Sequence, residues 1–168
     1  MMMAKRYPND YDGIDLDYEG FAFHDGSSTW ASTRPGWVAF VKQLSAALHA
    51  KGLWLTASVP VMYDSDRDAS SGYWVYDYAG IGSYVDRLRI MTYDYSVSSP
   101  GPIAPIAWVR RVLDYATTQV AAGKIQVGVP AYGRDWPAST TGCPVDNAPV
   151  TNSLTSREAE ALAAARGI

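Results

Sequence analysis

Asp12-Gly13-Ile14-Asp15-Leu16-Asp17-Tyr18-Glu19 places four acids within eight residues, and three of them alternate with Leu16 and Tyr18. Alternation is the period of a β-strand. Side chains two apart share a face with Cβ atoms roughly 6.5–7 Å apart, so the spacing predicts Asp15, Asp17 and Glu19 on one face and Ile14, Leu16 and Tyr18 on the other. An apolar face opposite three carboxylates is the pattern of a strand whose acids do proton chemistry. Two other readings fit the spacing: an oxygen-ligand site for Ca²⁺ or Mg²⁺, and a solvated acidic face. A calcium loop favours glycine and polar residues between its acids so that it can bend around the ion. The bulky residues here keep the backbone extended.

Working outward, the Asp-rich strand is expected over Tyr11 to Glu19, followed by a loop from Phe23 to Ser32. Thr33-Arg34-Pro35 reads as a helix start. Val38, Val41, Leu44 and Leu48 recur at helical spacing, and Gly52 ends that helix. Leu53 to Val61 reads as a buried strand and Tyr63 to Gly72 as a polar turn region. Tyr76 to Val85 reads as a short helix, Leu88 to Tyr95 as a strand, and Pro100 to Pro105 as a loop. Ile106, Val109, Val112, Leu113 and Ala116 mark an amphipathic helix, and Lys124 to Ala131 a further strand. Pro137 to Asn152 is loop-like. Thr155-Ser156-Arg157-Glu158 is a capping box for a last helix that ends near Gly167. Strands alternating with helices predict an α/β fold with a parallel sheet and right-handed crossovers. The acidic strand end and the later motifs then fall where such sheets place their sites.

Composition narrows the function. The chain has 168 residues, net charge −3, 48% hydrophobic and 18% charged residues, which is an ordinary globular balance. It carries no basic stripe, so nucleic acid is not an expected partner. No run approaches the ~18 apolar residues of a membrane helix, so no membrane partner is expected. The N-terminal residues show no apolar signal core. Cys143 is the only cysteine, so no disulfide can form within the chain. Six Trp and twelve Tyr supply flat apolar faces with polar edges, suited to sugar rings and equally to half-buried packing. Trp54, within a strand, reads as core. His24 and His49 read as neither catalytic nor metal-binding.

Three segments together resemble glycoside hydrolase family 18, the chitinase-like enzymes. They are Asp-x-x-Asp-x-Asp-x-Glu at residues 12–19, Met-x-Tyr-Asp within Arg89-Ile90-Met91-Thr92-Tyr93-Asp94-Tyr95, and Gly128-Val129-Pro130-Ala131-Tyr132-Gly133-Arg134. The resemblance covers roughly residues 10–136, with 137–168 adding a loop and a helix. It implies a partial (β/α)₈ TIM barrel, about strands four to seven with their helices, in a single partial catalytic domain over 1–168. A complete barrel needs about 250 residues. The expectation is therefore a piece of a barrel, with unpaired sheet edges that invite self-association.

The resemblance also implies roles. Glu19 would protonate the glycosidic oxygen. Asp17 would orient the substrate's N-acetyl group, and Asp15 would share a proton with Asp17. Asp12, of opposite parity, would be structural. Tyr93 and Asp94 would bind the acetamide and a sugar hydroxyl. Met91, Tyr132, Arg134 and Trp136 would line the cleft. The implied substrate is an N-acetylglucosamine-containing polysaccharide of chitin or peptidoglycan type, cleaved by substrate assistance without cofactor or metal. Secretion or cell-wall association is expected from the family. Sugar binding without catalysis is the competing expectation.

Overall fold

The computed structural model describes residues 11–137 and 152–167. Most of the loop expected over Pro137 to Asn152, including Cys143, lies outside the described residues. The chain divides into two compact units: residues up to Met91 together with 110–127, and residues 92–109 together with 128 onward.

The first unit is a parallel sheet in the order β1 (Gly13–Leu16), β2 (Trp54–Val59), β3 (Arg87–Ile90) and β4 (Ile125–Val127). Register pairs Asp15 with Thr56, Thr56 with Arg87, Ser58 with Arg89, and Arg89 with Gln126. Strand order follows chain order, as the alternation of strands and helices predicts. Between the strands lie α1 (Gly20–Phe23), α2 (Trp30–His49), α3 (Tyr78–Gly82) and α4 (Ile106–Gln119), the last entering this unit at Arg110.

Each strand turns one face to the core. Leu55, Ala57, Val59, Leu88 and Ile90 are fully buried, joined by Trp37, Val41 and Leu48 of α2 and by Val112 and Ala116 of α4. The other face is polar, with Trp54 exposed, Thr56 buried and Ser58 half-buried. Trp54 lies on this polar side, 38% exposed with the Arg87 guanidinium 5.2 Å from its ring centre. It is a half-covered surface residue and not core, because its register places it with Thr56 and Ser58.

Helix α2 begins at Trp30, three residues before the expected start, and holds Pro35 inside it. A single 3₁₀ turn over Ser27–Thr29 feeds straight into the helix, and the Trp30 indole anchors its first turn by donating to the Phe21 carbonyl at 2.6 Å. At its other end His49 Nε2 lies 2.9 Å from Asp86 Oδ2, which also accepts the Leu55 amide at 2.8 Å. Burial alone would raise the Asp86 carboxyl. The His49 and Leu55 hydrogen bonds, with the charges of His49 and Lys124, outweigh burial and hold it below 3.8. A carboxylate lowered on folding stabilises the protein above its unfolded value, and that contribution disappears as pH falls through the folded value. Thermal unfolding from pH 6 to pH 2 should therefore show Asp86→Asn less stable than the parent near neutrality, with the gap closing below about pH 4. A gap that persists unchanged at pH 2 would assign the effect to packing.

The second unit contains β5 (Tyr132–Asp135) and β6 (Asn152–Thr155), an antiparallel pair that pairs Tyr132 with Thr155 and Arg134 with Ser153. Helix α5 (Ser156–Arg166) follows directly. Thr155 caps it with the reciprocal Glu158 contacts of a capping box, and Gly167 closes it at φ 69°. Both ends match the sequence expectation, since each rests on local chemistry alone.

Candidate active site

Within the first unit the acids leave the strand sooner than their alternation suggests. Strand β1 ends at Leu16, so Asp17, Tyr18 and Glu19 form the short connection that turns into α1, and Glu19 is the residue preceding α1 with helical backbone angles. The backbone carbonyls of this turn are taken up elsewhere. Glu19 O accepts from the amides of Ala22 and Phe23 at 3.1 Å each. Tyr18 O accepts from the hydroxyl of Tyr76, a fully buried residue. Burial, opposed by a hydrogen bond from Ala22, pushes the Tyr76 phenol well above its usual range, and the charges of Glu19 and Asp17 add to the shift. The phenol thus stays a proton donor to the turn at any working pH.

The turn is also clamped by its aromatic neighbours. The Tyr18 ring packs 5.8 Å from Trp37 and 5.8 Å from Phe40, on the helix side of the sheet. Trp37 Nε1 donates to the Tyr76 carbonyl at 3.1 Å. Tyr76→Phe keeps the ring and removes the donor, leaving Tyr18 O without its buried partner. Loss of such a bond costs about 1–3 kcal/mol, and chemical denaturation should show it.

Asp15 stays in β1 and faces away from Leu16. Thr56 Oγ1 donates to its Oδ1 and Ser58 Oγ to its Oδ2 at 2.7 Å, and Arg89 Nη1 lies 3.2 Å from Oδ1. Thr56, Ser58 and Arg89 carry no sequence signal of their own, because they come from two other strands and meet Asp15 only through register. Met91 belongs to the same unit, its amide donating to Val59 O at 2.9 Å.

The second unit gathers the other motif residues. Asp94 adopts φ 59°, a left-handed conformation that aspartate tolerates better than most residues. Its Oδ1 accepts from the Tyr132 hydroxyl at 2.6 Å and from Arg134 Nη2 at 2.5 Å. Burial first, then the Asp94 carboxylate, pushes the Tyr132 phenol up to about 12. The Asp94 hydrogen bond raises Arg134 further, so this guanidinium stays charged. Arg134 Nε is buried with no acceptor among the described residues. The Tyr93 and Tyr132 ring centres lie 6.4 Å apart, edge to face. Trp136 Nε1 donates to Val97 O at 2.9 Å.

Among the described residues no cluster of three or more His, Cys, Asp or Glu side chains could hold a metal ion, and no helix is long and apolar enough to cross a membrane. His49 serves Asp86 and Ser45.

A parallel sheet with crossover helices and an acid series at its first strand end is the arrangement expected of part of a (β/α)₈ barrel. The profile of the family described as Glycosyl hydrolases family 18 matches residues 2–165. A Bacillus subtilis protein provisionally named sporulation-specific glycosylase YdhD is 38% identical over 128 residues, which are 75% of this chain and 28% of that protein. The cortical fragment-lytic enzyme of Bacillus subtilis is 31% identical over 84% of this chain and 31% of its own length. The crystal structure of a chitinase from Chromobacterium violaceum superimposes with a TM-score of 0.75 at 34% identity, over 92% of this chain and 44% of that one. The chain belongs to glycosyl hydrolases family 18. It spans less than half the length of each of these relatives.

Proposed function

We propose that this protein hydrolyses β-linked N-acetylglucosaminyl glycans of chitin or peptidoglycan type, in one catalytic domain of the family-18 kind, by a substrate-assisted, retaining route. The observation that carries the reading is Glu19, an acid kept at the end of the series and set on a turn pinned by a buried phenol. Glu19 gives its proton to the glycosidic oxygen. The carbonyl oxygen of the substrate's own N-acetyl group attacks the anomeric carbon as the bond to the leaving oxygen breaks. Asp17 orients that acetamide and offsets the positive oxazolinium ion. Water then attacks the anomeric carbon, returns a proton to Glu19 and releases the acetamide. Asp94, Tyr132 and Arg134 offer hydrogen bonds to sugar hydroxyls. The relatives' names, a chitinase and a cortical fragment-lytic enzyme, support this substrate class, and a cell-wall or extracellular site of action follows from it.

The test is hydrolysis of a fluorogenic N-acetylglucosamine oligomer and of purified peptidoglycan, with calorimetric titration of the oligomer alongside. Turnover of either substrate that requires Glu19 supports the reading. Binding without turnover would make this a sugar-binding module.

A further inference from the structure

Arg89 and Gln126 are the feature of the polar sheet face that the mechanism above leaves unused. Arg89 starts on β3, two strands away from Asp15, a lateral distance of roughly 9–10 Å. Its side chain crosses β2 to place Nη1 3.2 Å from Asp15 Oδ1, while its Nε donates to Gln126 Oε1 on β4 at 2.8 Å. One guanidinium therefore links the first strand of the sheet to the fourth. Its fork matters here: Nε and Nη1 point to different partners, and lysine has no second donor in fixed geometry to hold both. Together Thr56, Ser58 and Arg89 bring three donors to Asp15, and these donors reach both of its oxygens.

We propose that Arg89, oriented by Gln126, is a positioning residue that locks Asp15, within the acid series, in one rotamer as a hydrogen-bond acceptor. The proposal rests on the glycosidase reading and deepens it. Stability is a poor alternative explanation. The Arg89 side chain is 48% exposed and that of Asp15 31%, and pairs so open to water contribute little to folding. The geometry is nonetheless specific, since three donors from two neighbouring strands converge on a single carboxylate that the sequence places in the acid series.

The experiment compares hydrolysis of the fluorogenic oligomer by the parent, Arg89→Met, Arg89→Lys, Gln126→Leu, Asp15→Asn and Asp15→Asn/Arg89→Met, with Glu19→Gln as the control on the reading itself. Arg89→Met should lower kcat about tenfold with KM within about twofold, as expected for an interaction that acts in the transition state. Its unfolding midpoint should move by no more than about 2 °C, as for an exposed pair. Arg89→Lys should restore part of kcat, and Gln126→Leu should lower kcat in the same direction. In the Asp15→Asn background Arg89→Met should cause no further loss, because the two act as one unit. Hydrolysis that depends on Glu19 but is indifferent to Arg89→Met overturns the positioning role alone. So does a full additional loss in the Asp15→Asn background. A loss that follows a large fall in unfolding midpoint in all Arg89 and Gln126 variants shows a merely structural pair and overturns it as well. Hydrolysis that is absent, or equal with and without Glu19, overturns the glycosidase reading and the positioning role with it.

Discussion

On the proposed reading, Glu19→Gln should lower kcat for the N-acetylglucosamine oligomer by about 10²–10⁴-fold, the contribution expected of a positioned general acid, while oligomer affinity should stay within about threefold. Glutamine keeps the size of the side chain and its acceptor oxygen but has no carboxyl proton to give to the leaving oxygen. The turn that carries the residue is held through backbone carbonyls, by Tyr76 at Tyr18 O and by the Ala22 and Phe23 amides at Glu19 O. None of those contacts uses the Glu19 side chain, so the substitution leaves the turn standing. If ground-state binding draws on other groups, as the proposal holds, only an interaction made in the transition state should be lost. The measurement is steady-state hydrolysis with calorimetric titration of the same samples. A variant that keeps a tenth or more of parental kcat would mean that Glu19 is not the acid.

What the sequence revealed and what it hid divide along the range of the interactions. The capping box at Thr155 and the Gly167 stop are local chemistry, and both ends of α5 were legible. The parallel strand order followed from alternating helical and strand periods. The strand carrying the acids was legible, but its pairing ends at Leu16, while Tyr18 still packs on the helix side as the alternation predicts. Nothing in the spacing announces that a phenol 58 residues further along takes the Tyr18 carbonyl. The polar face was hidden for a related reason. Thr56, Ser58, Arg89 and Gln126 look like ordinary polar interruptions in their own strands, and only register brings them to bear on Asp15 or on one another. The β5 and β6 pair was missed because Tyr132 to Asp135 does not alternate in hydrophobicity, and its partner strand overlaps the capping signal of α5. Asp94, Tyr132 and Arg134 were singled out through family resemblance. Their convergence on one carboxylate oxygen emerged only in three dimensions.

Gly13→Ala should be the most damaging single-methyl change in the acid strand. A Cβ at Gly13 would stand 2.2 Å from the backbone oxygen of Trp54 and 2.7 Å from its carbonyl carbon. Neither atom can rotate away, because Trp54 is the register partner of Gly13 and its amide donates to Asp12 O at 2.8 Å. Relief requires β1 to move off β2 by roughly 1 Å, an overpacking cost of about 1–3 kcal/mol. That movement begins two residues before Asp15, whose bond to Ser58 is 2.7 Å and whose ion pair with Arg89 is 3.2 Å. A shift of about 1 Å stretches both past useful length, carries the Asp17 to Glu19 turn with it, and can cost on the order of 10²-fold in rate. Gly36→Ala supplies the control. Gly36 lies inside α2, and outside its own helix backbone no described residue comes within 4 Å of its notional Cβ, so the same methyl should stabilise the protein by about 0.5–1 kcal/mol through helix propensity. Denaturant unfolding and oligomer hydrolysis on the two variants should therefore move in opposite directions for stability and diverge in rate. Gly13→Ala with parental stability and turnover would mean that the close approach of β1 to β2 is not what places the acids.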